Sequence, residues 1–145
     1  MMVRLFLDTE FNEHEGELIS LALVADDGNE WYGVLDCPNP KPWVAEHVMP
    51  ILGQPPITRE QFSESLGLFL RSFGAHVHVV ADWPVDIAHF CNALITGPGT
   101  AVATPPITFE IDRALPDTAN ISIVAHNALE DARALSRWAS DNDVY

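Results

Sequence analysis

Val3-Arg4-Leu5-Phe6-Leu7-Asp8-Thr9-Glu10 opens the chain with an apolar run that ends in two carboxylates one residue apart. Such a run reads as a strand, and because strand side chains alternate with period two, Asp8 and Glu10 project to the same side. Paired oxygen ligands of this kind suit Mg²⁺ or Mn²⁺, hard cations usually held by a few carboxylates together with water and substrate phosphate. A lone D-x-E in an acidic protein is more often a solvated face. Its meaning depends on what else the chain carries.

Near the C-terminus, His126-Asn127-Ala128-Leu129-Glu130-Asp131-Ala132-Arg133-Ala134-Leu135 places a histidine five positions before an aspartate at the opening of a helix. Asn127 and Glu130 have the spacing of a capping pair, N-cap and N3, so the helix starts there. Asp131 then falls in the first turn, where the positive end of the helix dipole favours a carboxylate, and His126 is left on the flanking loop. Between the two ends, Val79-Val80-Ala81-Asp82-Trp83-Pro84-Val85-Asp86-Ile87-Ala88-His89-Phe90 reads as a strand running into a helix. Pro84 favours a helix beginning just before it, which makes Asp82 the natural N-cap and puts Asp86 about one turn in. Three segments thus offer carboxylates at strand ends or helix starts, the middle one through Asp86 or Asp82.

Asp8, Glu10, a middle aspartate and Asp131, with His126 five residues before the last, resemble the DEDDh 3′-5′ exonucleases, whose three sequence blocks occur in this order. Within that superfamily, Phe6-Leu7-Asp8-Thr9-Glu10-Phe11 followed by Leu18-Ile19-Ser20-Leu21 resembles ribonuclease AS, a poly(A)-preferring exoribonuclease. Trp43-Val44 with His47-Val48-Met49-Pro50 is similar to it too. The resemblance favours Asp86 over Asp82, because the family's ligand aspartate is followed by small and apolar residues, as in Asp86-Ile87-Ala88. It implies two Mg²⁺ or Mn²⁺ ions roughly 3.5–4 Å apart, with Asp8 bridging them and Glu10, Asp86 and Asp131 completing their coordination. One ion would activate the attacking water and the other would stabilise the leaving 3′ oxygen. His126 becomes the candidate general base, since imidazole exchanges protons near neutrality. The implied activity is hydrolysis of single-stranded RNA from its 3′ end to nucleoside 5′-monophosphates, and the implied assembly is a homodimer.

Composition bounds these readings. At 145 residues the chain is expected to form one domain, spanning 1–145, that needs no disulfide staple. Cys37 and Cys91 lack C-x-x-C spacing and read as free thiols, as in a reducing cytoplasm. No segment approaches the ~20 apolar residues of a membrane span, and the N-terminus lacks a signal-peptide core, so a cytoplasmic protein is expected. Seven Lys and Arg stand against 21 Asp and Glu, a formal charge of −14, which argues against tight binding of a long duplex. It argues less against an enzyme that grips only the last few nucleotides, because divalent ions would bring positive charge to the scissile phosphate. A phosphodiesterase acting on dinucleotides, short oligonucleotides or single-stranded DNA fits the charge as well. An inactive binding module with the same fold is the third reading, weakened by the presence of all five catalytic residue types.

The remaining sequence predicts an α/β fold of RNase H-like form, a mixed sheet flanked by helices. Val3–Leu7, Leu18–Ala25 and Glu30–Leu35 read as an antiparallel three-strand meander, the last two joined by Asp26-Asp27-Gly28-Asn29. A short helix is expected around Trp43 to Met49, and Thr58 with Gln61 forms a capping box for a helix to about Phe73. Phe62, Leu66, Phe69, Leu70 and Phe73 repeat at helical spacing and read as core. His76–Ala81 is a buried strand, Pro84 to Leu94 a helix, 96–106 a loop, Ile107–Ile111 a further strand and Ala128 to about Ser140 the last helix.

Phe11, Thr9 and Trp83 flank the acidic blocks and are candidate substrate contacts, the two aromatics as platforms for a nucleobase. Aromatics beside a buried strand more commonly just bury area. Trp31, Trp43 and Trp138 carry no site signal, and His14, His47, His76, His78 and His89 read as surface or packing residues. Arg133 and Arg137 are placed either to reach a phosphate or to lie solvated, Arg137 with Asp141 as an i,i+4 partner.

Overall fold

The computed structural model describes residues 2–142. Strands β1 (Met2–Phe11), β2 (Leu18–Ala25) and β3 (Glu30–Val34) form the antiparallel meander. Helix α1 (Pro42–His47) and a 3-10 turn (Met49–Ile51) follow, then α2 (Arg59–Arg71) and β4 (His76–Ala81). The chain continues through α3 (Pro84–Ala93), a small hairpin of β5 (Ile95–Gly97) and β6 (Thr100–Ala101), then β7 (Ile107–Ile111), α4 (Thr118–Ile121) and α5 (Ala128–Asp141). The main sheet has the order β3-β2-β1-β4-β7, antiparallel on one side of β1 and parallel on the other. This five-stranded mixed sheet with helices on both faces is the α/β, RNase H-like architecture expected. No described helix is long and apolar enough to cross a membrane.

Alternation along β1 sorts the two faces. Leu5 and Leu7 join Leu21, Leu23, Val77 and Val79 beneath α2 and α3, which contribute Phe62, Leu66, Leu70, Phe90 and Ala93. Phe6 points the other way, with Val80, onto Leu135 and Ala139 of α5. Each fully buried large side chain of this kind contributes about 1.5–3 kcal/mol. Asp8 and Glu10 share the parity of Phe6 and therefore face the α5 side.

Several boundaries differ from the sequence expectation. β1 does not stop at Leu7, because β2 continues alongside it and pairs Asp8 with Ala22 and Glu10 with Ser20. The register slips between Glu10 and Phe11, which pairs with Leu18, so Ile19 is an extra residue in β2. Bulges of this sort re-aim side chains beside functional sites. The expected loop 96–106 holds the β5–β6 hairpin, closed by Gly99 at φ 70°, a left-handed conformation that glycine tolerates. Helix α4, capped by Asp117 through the Ala119 amide, has no apolar periodicity to announce it.

The α2 capping box is present as read: Thr58 accepts from the Gln61 amide, and Gln61 accepts from the Thr58 amide. Gly33 in β3 lies under this helix. A Cβ there would sit 2.5 Å from the Trp31 ring and 2.7 Å from the Phe62 ring, and Phe62 is completely buried. Gly33→Ala should therefore destabilise the fold by about 1–3 kcal/mol through overpacking. Urea unfolding checks this; an unchanged midpoint would show that the Trp31–Phe62 pair yields freely.

Candidate active site

Parallel pairing of β1 with β4, Phe6 opposite Val80, brings the C-terminal halves of both strands to one edge of the sheet. Asp8 and Glu10 reach that edge from β1. Asp82 follows β4, and Asp86 occupies the third position of α3. Asp131 comes from the first turn of α5 on the same face as Asp8. The carboxylates meet in two groups, Asp8 with Glu10 and Asp131, and Asp8 with Asp82 and Asp86, the ligand oxygens in each lying within 4.8 Å of one another. Asp8 belongs to both.

Asp8, Asp86 and Asp131 are buried, and one oxygen of Asp8 and one of Asp131 have no hydrogen-bond partner. Unpaired buried carboxylate oxygens are costly, so a site that keeps them suits a cation. The proton affinities carry the same stress. Burial, then Asp86, Glu10, Asp131 and Asp82, raise Asp8 well above the ordinary carboxylate range. Burial with the charges of Asp131 and Asp86 pushes Glu10 up to about 9. Burial takes Asp86 to about 7, while a hydrogen bond from Thr9 pulls the other way. Burial also raises Asp131, with His126 opposing, and raises Asp82, with Arg113 opposing. Closely set carboxylates with unsatisfied oxygens form a hard-cation donor set.

The middle block resolves differently from its sequence reading. Pro84 is the first residue of α3, but the N-cap is Trp83, which makes no side-chain capping bond, so Asp82 is not the cap. Its carboxyl instead joins Asp8 and Asp86. Thr9, placed among the substrate contacts, is buried on the opposite side of β1, and its hydroxyl donates to Asp86 Oδ1 at 2.6 Å. The structure assigns that hydroxyl to holding a carboxylate in place.

The aromatic candidates separate. Phe11 lies against His89 of α3, ring centroids 5.0 Å apart. His89 lines a cleft of about 580 Å³ with Leu18, Leu35, Ile57, Thr58 and Arg59. Trp83 is half exposed, and the Arg113 guanidinium sits over its ring, 4.6 Å from the centroid. Sequence reasoning missed Arg113, which reaches Trp83 from the turn after β7.

His126 lies on the loop before α5 with φ 70°, a left-handed conformation uncommon outside glycine. Its ring meets Trp43 edge-on at 5.0 Å, and Trp43 stacks on His47. Trp43, read as carrying no site signal, and His47, read as a surface or packing residue, thus pack behind the histidine. Asn127 caps α5 through the Glu130 amide as expected, while its Nδ2 donates to the Ile51 carbonyl at 2.8 Å. Glu130 does not complete a capping box; it pairs with Arg133, which also pairs with Glu30. Arg133 is thereby committed to structure. Arg137 and Asp141 line a surface pocket on that same flank. Cys37 is a buried free thiol raised by burial and Glu17, and Cys91 a partly buried one.

No protein-family model matches the chain. Two Mycobacterium tuberculosis proteins are similar to it: 3′-5′ exoribonuclease Rv2179c of strain ATCC 25618 / H37Rv and 3′-5′ exoribonuclease MT2234.1 of strain CDC 1551 / Oshkosh. Each is 35% identical over an alignment covering 90% of this chain and 88% of the relative. With that identity spread over nearly the whole of both chains, the protein belongs to the family of these 3′-5′ exoribonucleases.

Proposed function

We propose that the protein is a metal-dependent 3′-5′ exoribonuclease that removes nucleoside 5′-monophosphates from single-stranded RNA. The observation carrying this reading is Asp8, which stands in two carboxylate groups at once and so could serve as a ligand in both. Glu10 and Asp131 would complete one site, and Asp86 and Asp82 the other. Mg²⁺ or Mn²⁺ bound there would supply charge neutralisation at the scissile phosphate and Lewis acidity.

The chain's own residues do the remainder. Thr9 fixes the Asp86 carboxylate. Phe11 and His89, beside the apolar cleft, offer the terminal base a surface. His126, braced by Trp43, takes the proton of the attacking water as that oxygen bonds to phosphorus. The bond from phosphorus to the 3′ oxygen breaks, its electron pair stays on that oxygen, and solvent protonates it. The shortened strand ends in a 3′-hydroxyl, and the released nucleotide carries the 5′-phosphate.

The carboxylate cluster makes stability depend on pH in a direction opposite to the common one for acidic residues. Without cations, Asp86 and Glu10 hold protons in the folded state up to about 7 and about 9, whereas the unfolded chain releases them near ~4. The folded state thus binds more protons between these limits, and stability falls as pH rises through them. Melting temperature in chelator should decline from pH 5 to pH 9 and recover with Mg²⁺, while RNA hydrolysis is lost in chelator. A pH-independent melting temperature in chelator, unmoved by Mg²⁺, would remove the cation site.

Asp86→Asn should lower kcat by three or more orders of magnitude. Asp82 is less buried but shares the same group, so Asp82→Asn should weaken Mn²⁺ binding and lower kcat less. Single-turnover rates across a Mn²⁺ titration check both; wild-type metal dependence in Asp82→Asn would return it to a purely structural role.

His126→Ala should reduce kcat by about two to four orders of magnitude, the span of general-base catalysis, with Mn²⁺ affinity retained. Near-normal turnover of this variant on single-stranded RNA would make the histidine a packing residue.

A further inference from the structure

Most of the chain's cationic side chains are already spent. Arg4 pairs with Asp26, and Arg133 with Glu30 and Glu130. Arg59 binds Ser63 and the carbonyls of Asn92 and Ala93, and Arg71 binds the Ala103 carbonyl. Arg113 differs in its setting. Its guanidinium lies over the Trp83 ring, its charge acts on Asp82, and it lines a cleft of about 310 Å³ whose other walls are Asp82, Trp83, Leu115 and Asp117. Asp82 is therefore shared between this cleft and the carboxylate group of Asp8 and Asp86. A guanidinium held over an indole face beside a nuclease centre is suited to act as a phosphate clamp.

Substrate chemistry decides which phosphate it meets. In a 3′-5′ reaction the terminal nucleotide carries the scissile phosphate and ends in a 3′-hydroxyl, so no phosphate lies beyond it. A second phosphate within reach belongs to the nucleotide on the 5′ side. We infer that Arg113, held against Trp83, is a subsite for the phosphodiester immediately 5′ to the scissile one and sets the minimum substrate the enzyme uses well. This rests on the exoribonuclease reading. Trp83 acts as the positioning residue, because indole faces attract cations and fix the plane of the guanidinium.

The test needs two substrates. An adenosine dinucleotide without terminal phosphates has only the scissile phosphodiester; the trinucleotide has one more. Wild type should hydrolyse the trinucleotide with kcat/KM about tenfold higher, mainly through KM, as expected for one charge-assisted contact. Arg113→Ala should remove that preference, lowering kcat/KM about tenfold on the trinucleotide and leaving the dinucleotide within about twofold. Arg113→Lys should restore part of it, and Trp83→Ala should follow Arg113→Ala while Trp83→Phe stays near wild type. The salt dependence of KM for the trinucleotide should also flatten in Arg113→Ala. Equal losses on both substrates, or no loss on either, overturn the clamp while the exoribonuclease reading stands. A folded wild type with Mn²⁺ that releases no AMP from dinucleotide, trinucleotide or longer RNA overturns both.

Discussion

Five carboxylates crowd one end of the sheet, and like charges about 4 Å apart repel by on the order of 4 kcal/mol per pair at an effective dielectric of about 20. Everything around the site answers that repulsion. Protons retained by Glu10 and Asp86 remove part of the charge when cations are absent. Asp86 and Asp131 occupy the first turns of α3 and α5, where helix dipoles favour negative charge. The sheet between two apolar layers supplies the rigidity, since β1 is paired on both sides at Leu5 and Phe6, shortly before Asp8. A cluster that opposes folding is carried by the strand least able to move.

The charge of −14 acquires a use in this setting. A polyanionic substrate would be repelled by the surface at large and attracted where cations, if bound, offset the carboxylates, a field that would favour contact through one end of a strand over contact along its length. Two of the arginines serve the fold instead: Arg59 and Arg71 tie α2 to carbonyls of Asn92, Ala93 and Ala103, closing the α2 side of the molecule.

Those parts that rest on period and cap chemistry were legible in the sequence: the meander, the α2 box at Thr58 and Gln61, the start of α5 at Asn127, and the shared side of Asp8 and Glu10 on β1. What stayed hidden depends on tertiary register. Asp82 read as a cap, or as the alternative ligand to Asp86, because Pro84 sets where α3 begins, and that local rule says nothing of Asp8 approaching from β1. Thr9 read as a substrate contact because it sits between two acidic residues; strand alternation turns it to the other face, onto Asp86. Trp43 and Arg113 lie far in sequence from the motifs, and only the packing of α1 and the turn after β7 brings them to His126 and Trp83.

Asn127 uses one side chain for two purposes, accepting from the Glu130 amide and donating to the Ile51 carbonyl. Helix ends are where folded proteins first open. Fraying of α5 from its N-terminus would release the Asn127 cap and its bond to Ile51 together, and His126 and Asp131 flank that cap. Amide exchange at Glu130 would therefore report the opening that separates His126 and Asp131 from the rest of the carboxylate group.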